Sequence, residues 1–377
     1  MRSAVLVAWV LVVSVAACRS DDLVIVGDAP AAPRALTASY YAGAVTLEWE
    51  LAPGWNGETF RVYSRRLGDA SFFLIAEVTS CSAGLCSYVD WNVVSGVTYL
   101  YYVSAYDARS GLETRSASTV EVTIPSQTPP PVPDAPRVIA LDGANYVTWG
   151  TAARSASDFS HYRVYQDAGS TSYLLGETDS EGFLDLLVTN GSTYVYFVTA
   201  VDTHGHESAG SARAAGTPRP DFHGEWIYDH FDRPTASGFR FPDDESTDPI
   251  VAGTNPSRDF RVERDAGGAW WLVPNVSASV AVYPVGFATT ALKCGVAADA
   301  GCVDVSVAPS SGYTTAAVRL LPQTSYVIRI GSGQSAHYGV IRVVFQGFDQ
   351  NGHAIMIFDW AFQLQPGNRN LAPSTGS

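Results

Sequence analysis

The sequence predicts an all-β chain of consecutive modules, and three observations carry the prediction. Apolar residues recur in short runs with a period of two, bounded by Gly, Pro, Asn and Asp. A set of landmarks about one module long appears twice in the same order. No convincing amphipathic helix interrupts the long strand-like runs of the C-terminal part. Composition agrees: 46% of the 377 residues are hydrophobic and 16% are charged, with 19 Tyr, 33 Gly and 21 Pro, a mixture of strand formers and turn formers. At ~100–200 residues per domain, a chain of this length holds two or three cores.

The N-terminus comes first. Arg2, an apolar run over residues 4–17 that is short for a bilayer span, and the small residues Ala16 and Ala17 read as a secretory signal. The stretch VAAC ending at Cys18 resembles the lipobox of bacterial lipoproteins, although Val stands where Leu is commoner. The resemblance implies cleavage after residue 17, a lipid on Cys18 and a membrane partner; an ordinary signal peptide cut there leaves Cys18 as a free thiol. Arg19 rather than Asp after the cysteine is compatible with outer-membrane sorting. Residues 18–29 then form a tether, and the expected location is the cell envelope, periplasmic or surface-exposed.

Cysteine usage fits export. Of five cysteines, four fall into two close pairs, Cys81 with Cys86 and Cys294 with Cys302, which leaves only Cys18 unpaired. Both pairs are expected to be disulfides, each restricting the unfolded chain by roughly 2–3 kcal/mol. A zinc site is the alternative, but no His or Cys pair lies nearby at finger spacing. The formal charge of −14 repels nucleic acid and anionic membrane surfaces.

The repeated modules follow over residues 30–125 and 134–218. The first carries VTLEWE with Trp49, FRVYSR from Phe60, and GVTYLYYVSAYD with Tyr99 and Tyr101; the second carries YVTWG with Trp149, YRVYQ from Tyr162, and GSTYVYFVTAVD with Tyr194 and Tyr196. Alternation within these segments puts one face on a core and suggests β-sandwiches. The Trp of the second strand, the Val-Tyr strand and the Gly-x-Thr-Tyr corner resemble fibronectin type III domains, which implies interaction modules rather than catalysts. No Arg-Gly-Asp tripeptide occurs in either copy. The Pro-rich linker at residues 126–133 favours extended chain and a stalk-like separation. His204 and His206 suggest metal ligands, but they occupy the turn where the first module has Ser110 and Leu112, so exposed loop residues without metal are expected.

Residues 219–377 form a third module, expected to be a mainly antiparallel sheet or sandwich. Asp243, Asp244, Glu245 and Asp248 make an acidic loop whose spacing fits no EF-hand. In AWWLVPN, Trp270 and Trp271 point to opposite faces if extended, so one of them is a candidate for a binding surface. Three strands are expected at 326–330, 338–348 and 354–364, the last two joined by DQNGH with its Asn-Gly turn signal. This strand series resembles the C-terminal part of the HmuY-like haem-binding lipoproteins, and DFRVERDAGGAWWL at residues 259–272 resembles another segment of that family. The resemblance implies an all-β scaffold that captures haem between axial side chains, often His. His223, His230, His337 and His353 are the candidates, with His337 and His353 the pair singled out.

No GxSxG, HExxH or P-loop pattern occurs, so an enzyme is not expected. Two readings follow. In the first, a lipid-anchored envelope protein presents a C-terminal domain that binds haem or another ligand. In the second, all three modules make structural or adhesive contacts with protein or glycan, and Trp270, Trp271 or Trp360 offers a stacking surface.

Overall fold

The computed structural model describes residues 28–218, 224–243, 247–295 and 298–371. Cys18, His223, Asp244 and Glu245 lie outside them. The chain divides into two compact units, residues 1–126 and 127–377. All strand pairs that join the named strands are antiparallel, and no helix among the described residues is long and apolar enough to cross a membrane.

The first unit holds β1 (Arg34–Tyr41), β2 (Ala44–Glu50), β3 (Thr59–Arg66), β4 (Phe73–Val78), β5 (Leu85–Asp90), β6 (Thr98–Asp107), β7 (Leu112–Arg115) and β8 (Val120–Thr123). One sheet runs β1-β2-β5 and the other β4-β3-β6-β7, with β8 also on β6. Val45, Leu47 and Trp49 of β2 meet Phe60, Val62 and Tyr101 across the sandwich, while Glu48 and Glu50 face water, the alternation of a strand with one solvated face. The Cys81–Cys86 disulfide closes the short loop leading into β5.

The second unit opens with the second sandwich: β9 (Arg137–Leu141), β10 (Ala144–Thr148), β11 (Phe159–Asp167), β12 (Ser172–Thr178), β13 (Gly182–Asp185), β14 (Tyr194–Asp202) and β15 (Ala214–Gly216). Its sheets run β13-β10-β9 and β12-β11-β14-β15. The repeat extends to hydrogen bonds. In the first copy the Tyr101 hydroxyl donates to buried Asp90 at 2.9 Å, and the Tyr99 hydroxyl accepts from the Val94 amide at 3.2 Å. In the second, Tyr196 donates to Asp185 at 2.8 Å and Tyr194 accepts from Thr189 at 3.0 Å. A polar cluster repeats as well: Arg61 bridges Glu77 and Glu113, and Tyr63 donates to Glu113 at 2.8 Å. Arg163 bridges Glu177 and Glu207, and Tyr165 donates to Glu207 at 2.8 Å.

The last domain is also a sandwich. Its strands are β16 (Gly224–Tyr228), β17 (Gly238–Phe239), β18 (Ile250–Val251), β19 (Phe260–Arg264), β20 (Trp270–Pro274), β21 (Val280–Val282), β22 (Phe287–Ala288), β23 (Val318–Leu320), β24 (Thr324–Ile330), β25 (His337–Phe348) and β26 (Ala354–Gln363). One sheet runs β16-β26-β25-β24-β21, with β22 also on β24, and it faces β18-β17-β19-β20-β23. Phe239, Phe260, Trp270, Tyr326, Phe358 and Trp360 lie in the core between them. The ring of Phe241 lies over Gly339 so closely that a Cβ there would sit 2.3 Å from it, which is why a long central strand tolerates a glycine.

The β25–β26 hairpin is apolar almost throughout because both of its faces are covered. Beyond the inter-sheet core, Tyr338 and Val340 pack with Val305, Ala308 and Leu371, and Val344, Phe345, Ile355 and Ile357 pack on the second sandwich. A β-bulge at Val344 lets two successive residues join that outer cluster. Leu141, Ala144, Tyr146 and Leu184 complete the seam from the sandwich side. Hydrogen bonds fix it: Tyr146 donates to the Phe348 carbonyl at 2.7 Å, Ser180 to the Asp349 carbonyl at 2.6 Å, and the Leu184 amide to the Gln350 side chain at 3.0 Å. The DQNGH turn is thus a docking loop within the unit.

Candidate functional site

The two histidines singled out by the sequence as a haem-ligand pair do not converge. His337 opens β25 and His353 follows its far end, so at about 3.3 Å per residue the two lie roughly 35 Å apart and cannot flank one iron. His337 stacks on Phe362 and faces the Gln363 carbonyl at 3.3 Å. His353 is held by Asp349, through its own amide at 3.0 Å and its Nδ1 at 3.4 Å, and its ring meets Tyr228 edge-on. His230 contacts the Ser237 hydroxyl at 2.9 Å. Burial, then the charge of Arg261, holds its imidazole below the ordinary pKa.

Two of the three tryptophans proposed for stacking are core residues: Trp270 is 4% exposed and Trp360 is 3% exposed. Both are corrected to structural roles. Trp271, on the opposite face of β20, is half-buried and donates to Asp265 at 2.9 Å across the hairpin turn. The Cys294–Cys302 disulfide closes its own loop.

A surface suited to a ligand appears instead on the first sandwich. A pocket of about 400 Å³ is lined by Ser64, Arg65, Asp69, Phe73, Tyr88 and Asn92 among others. Phe73 is 64% exposed, and Tyr88 is half-buried. Guanidinium, carboxylate, amide and phenol groups beside an exposed ring can hydrogen-bond the edge of a polyhydroxylated ligand and cover its apolar face. This site was missed because its residues come from β3, the β3–β4 turn, β4, β5 and the segment after β5.

The histidines of the second sandwich are less exposed than their turn position suggests. Asp202 is buried, and His204 and His206 are half-buried. Asp202 accepts from the amides of His204 and His206, both at 2.8 Å, and meets His206 Nδ1 at 2.7 Å. A ring nitrogen of His204 and one carboxylate oxygen from each of Asp158 and Asp202 lie within 4.8 Å of one another.

No family model matches the chain. Exoglucanase B of Cellulomonas fimi is 28% identical over 145 residues, which is 37% of this chain and 13% of that protein. Among solved structures, one described as a myokine structure is 16% identical, with a TM-score of 0.22, covering 26% of this chain and all of its own. A Fn3-like protein from Clostridium thermocellum is 23% identical, with a TM-score of 0.20, covering 24% of this chain and 95% of its own.

Proposed function

We propose that this chain is a non-catalytic interaction protein of the cell envelope, held by a lipid on Cys18, that binds carbohydrate through its first fibronectin type III-like sandwich. The pocket lined by Phe73, Tyr88 and the polar groups of Arg65, Asp69 and Asn92 is the observation that carries the reading. A stretch of the chain is similar to part of a protein named as an exoglucanase, which favours carbohydrate over protein as the partner class. Haem is not part of this reading, because the singled-out His337 and His353 lie at opposite ends of the β25–β26 hairpin.

Affinity electrophoresis of the full chain in gels containing soluble β-glucans tests the binding. Retardation is expected, and Tyr88→Ala with Phe73→Ala should weaken it by about tenfold, as loss of ring contacts worth ~0.5–1.5 kcal/mol each implies. Equal retardation of the double variant would remove the pocket from the proposal, and no retardation in any glycan would favour a protein partner. For the anchor, Cys18→Ser should move the protein from the membrane fraction to the soluble one; continued membrane association would count against lipidation.

A further inference from the structure

The two sandwiches share their tyrosine–aspartate bonds and their Arg-Glu-Tyr cluster, which makes a turn where they differ informative. In the first, Asp107 at the end of β6 is capped by its own turn: the Arg109 amide donates at 3.0 Å and the Ser110 hydroxyl at 2.9 Å. In the second, Asp202 stands at the same place at the end of β14. His204 replaces those turn residues, and Asp158, just before β11, is brought against them. The Thr203 amide donates to the Asp158 carbonyl at 2.8 Å, which ties the two segments together. His206 holds the Asp202 carboxylate from behind, as outer groups commonly orient a metal ligand.

The mutual distances suit a shared ion. Ligand atoms ~2.0–2.2 Å from one metal lie roughly 3–4.4 Å from each other, and the three groups fall within 4.8 Å. In addition, His204 Nδ1 is buried without a hydrogen-bond partner. A buried nitrogen of this kind calls for a water or an ion to satisfy it. Two carboxylates and one imidazole carry the charge of a dication's counterpart. Nitrogen in the set favours a first-row transition ion over Ca²⁺ or Mg²⁺, which take oxygen. Among the described residues this is the one group of three such side chains placed to share an ion.

We infer that Asp158, Asp202 and His204 form a binding site for a divalent transition-metal cation of the Zn²⁺ class, pinning the segment before β11 to the turn after β14. Three protein ligands leave coordination positions for water or for a group from a partner. An ion bound only by the folded state raises its unfolding temperature by mass action.

The test uses the untagged full chain, stripped with EDTA and titrated with ZnCl₂ by calorimetry and by thermal unfolding. One equivalent is expected to bind and to raise the unfolding temperature. Asp158→Asn and His204→Ala should each weaken binding at least about tenfold while leaving the metal-free unfolding temperature close to wild type. Should either variant fold poorly, Co²⁺ absorption of the wild type against His204→Gln reads the nitrogen ligand directly. Zinc binding of equal strength in wild type and variants, or none in the wild type, would overturn the site. Ca²⁺ stabilising wild type and His204→Ala equally would overturn the assignment to a nitrogen-containing set.

Discussion

Asp90 and Asp185 each sit buried at the end of a strand, and each accepts from a core tyrosine and from a backbone amide two residues on. Burial, then the neighbouring carboxylate, holds the phenols of Tyr101 and Tyr196 far above their ordinary range, so they serve as donors at any ordinary pH. Glu207 is a second case of environment deciding charge. Burial works against its ionisation, and hydrogen bonds from Thr199, Tyr165 and Arg163 outweigh it, leaving the carboxyl below the usual range. Glu225 on β16 goes the other way. Burial, then Asp248, pushes its carboxyl up to about 8 against 4.5, Trp360 pulls it down, and Asp142 of the second sandwich adds to the rise. Between those two pH values the folded unit keeps a proton that the unfolded chain has lost. Stability therefore falls as pH rises through that window, by at most about 1.4 kcal/mol per pH unit, and levels off above the folded value. Glu225→Gln keeps the shape without the charge. Thermal unfolding at about pH 5 and about pH 8.5 should show a smaller loss for the variant than for wild type; equal losses would place the effect elsewhere. The core tyrosines were legible from the repeat alone. The states of Glu225 and Glu207 were not, because each depends on charges or donors from strands distant in sequence.

The same contrast holds for whole strands. β2 alternates in sequence and in burial, and sequence reading recovers its core face directly. β10 and β13 are buried on both faces, since Tyr146 and Leu184 replace the outward Thr46 and Val89, and Gly182 replaces Ser87. That change of outward residues between two copies of one module, to larger apolar side chains at two positions and to glycine at the third, was present in the sequence, and it marks a covered sheet. Likewise the runs at β25 and β26 were found to within two residues, while their continuous apolarity was the unread sign of a second contact face. Turn chemistry located the DQNGH loop, yet its role is tertiary: the backbone carbonyls of Phe348 and Asp349 and the side chain of Gln350 are satisfied by the second sandwich. Pairing His337 with His353 failed on a point the sequence already held, since the expected strand at 338–348 lies between them along its whole length. Trp270 and Trp360 failed for a different reason: period two gives opposite faces to Trp270 and Trp271 without saying which face has a sheet above it.

At the scale of the molecule, the Pro-rich linker coincides with the division after residue 126, whereas the boundary near residue 218 separates two sandwiches that share a core. The second sandwich and the last domain are therefore expected to unfold together. Gly182 is where this coupling can be tested with one methyl group. A Cβ there would stand 2.0 Å from the Phe348 carbonyl and 2.3 Å from the Tyr146 hydroxyl, and backbone that is itself paired in β25 cannot retreat cheaply. The added atom must push the docking loop off the sheet, costing the Tyr146 and Ser180 hydrogen bonds at ~1 kcal/mol each and part of the apolar seam besides. Yet the two inter-sheet cores lie away from the contact and keep their packing. Gly182→Ala should accordingly split one calorimetric transition of residues 127–377 into two. The Cys294–Cys302 disulfide remains intact in both forms, so the change reports the seam and not the covalent closure. A single transition lowered as a whole would mean that the sandwich and the last domain stay coupled through contacts other than the loop. A transition unchanged from wild type would mean that the loop is not docked against Gly182 in solution.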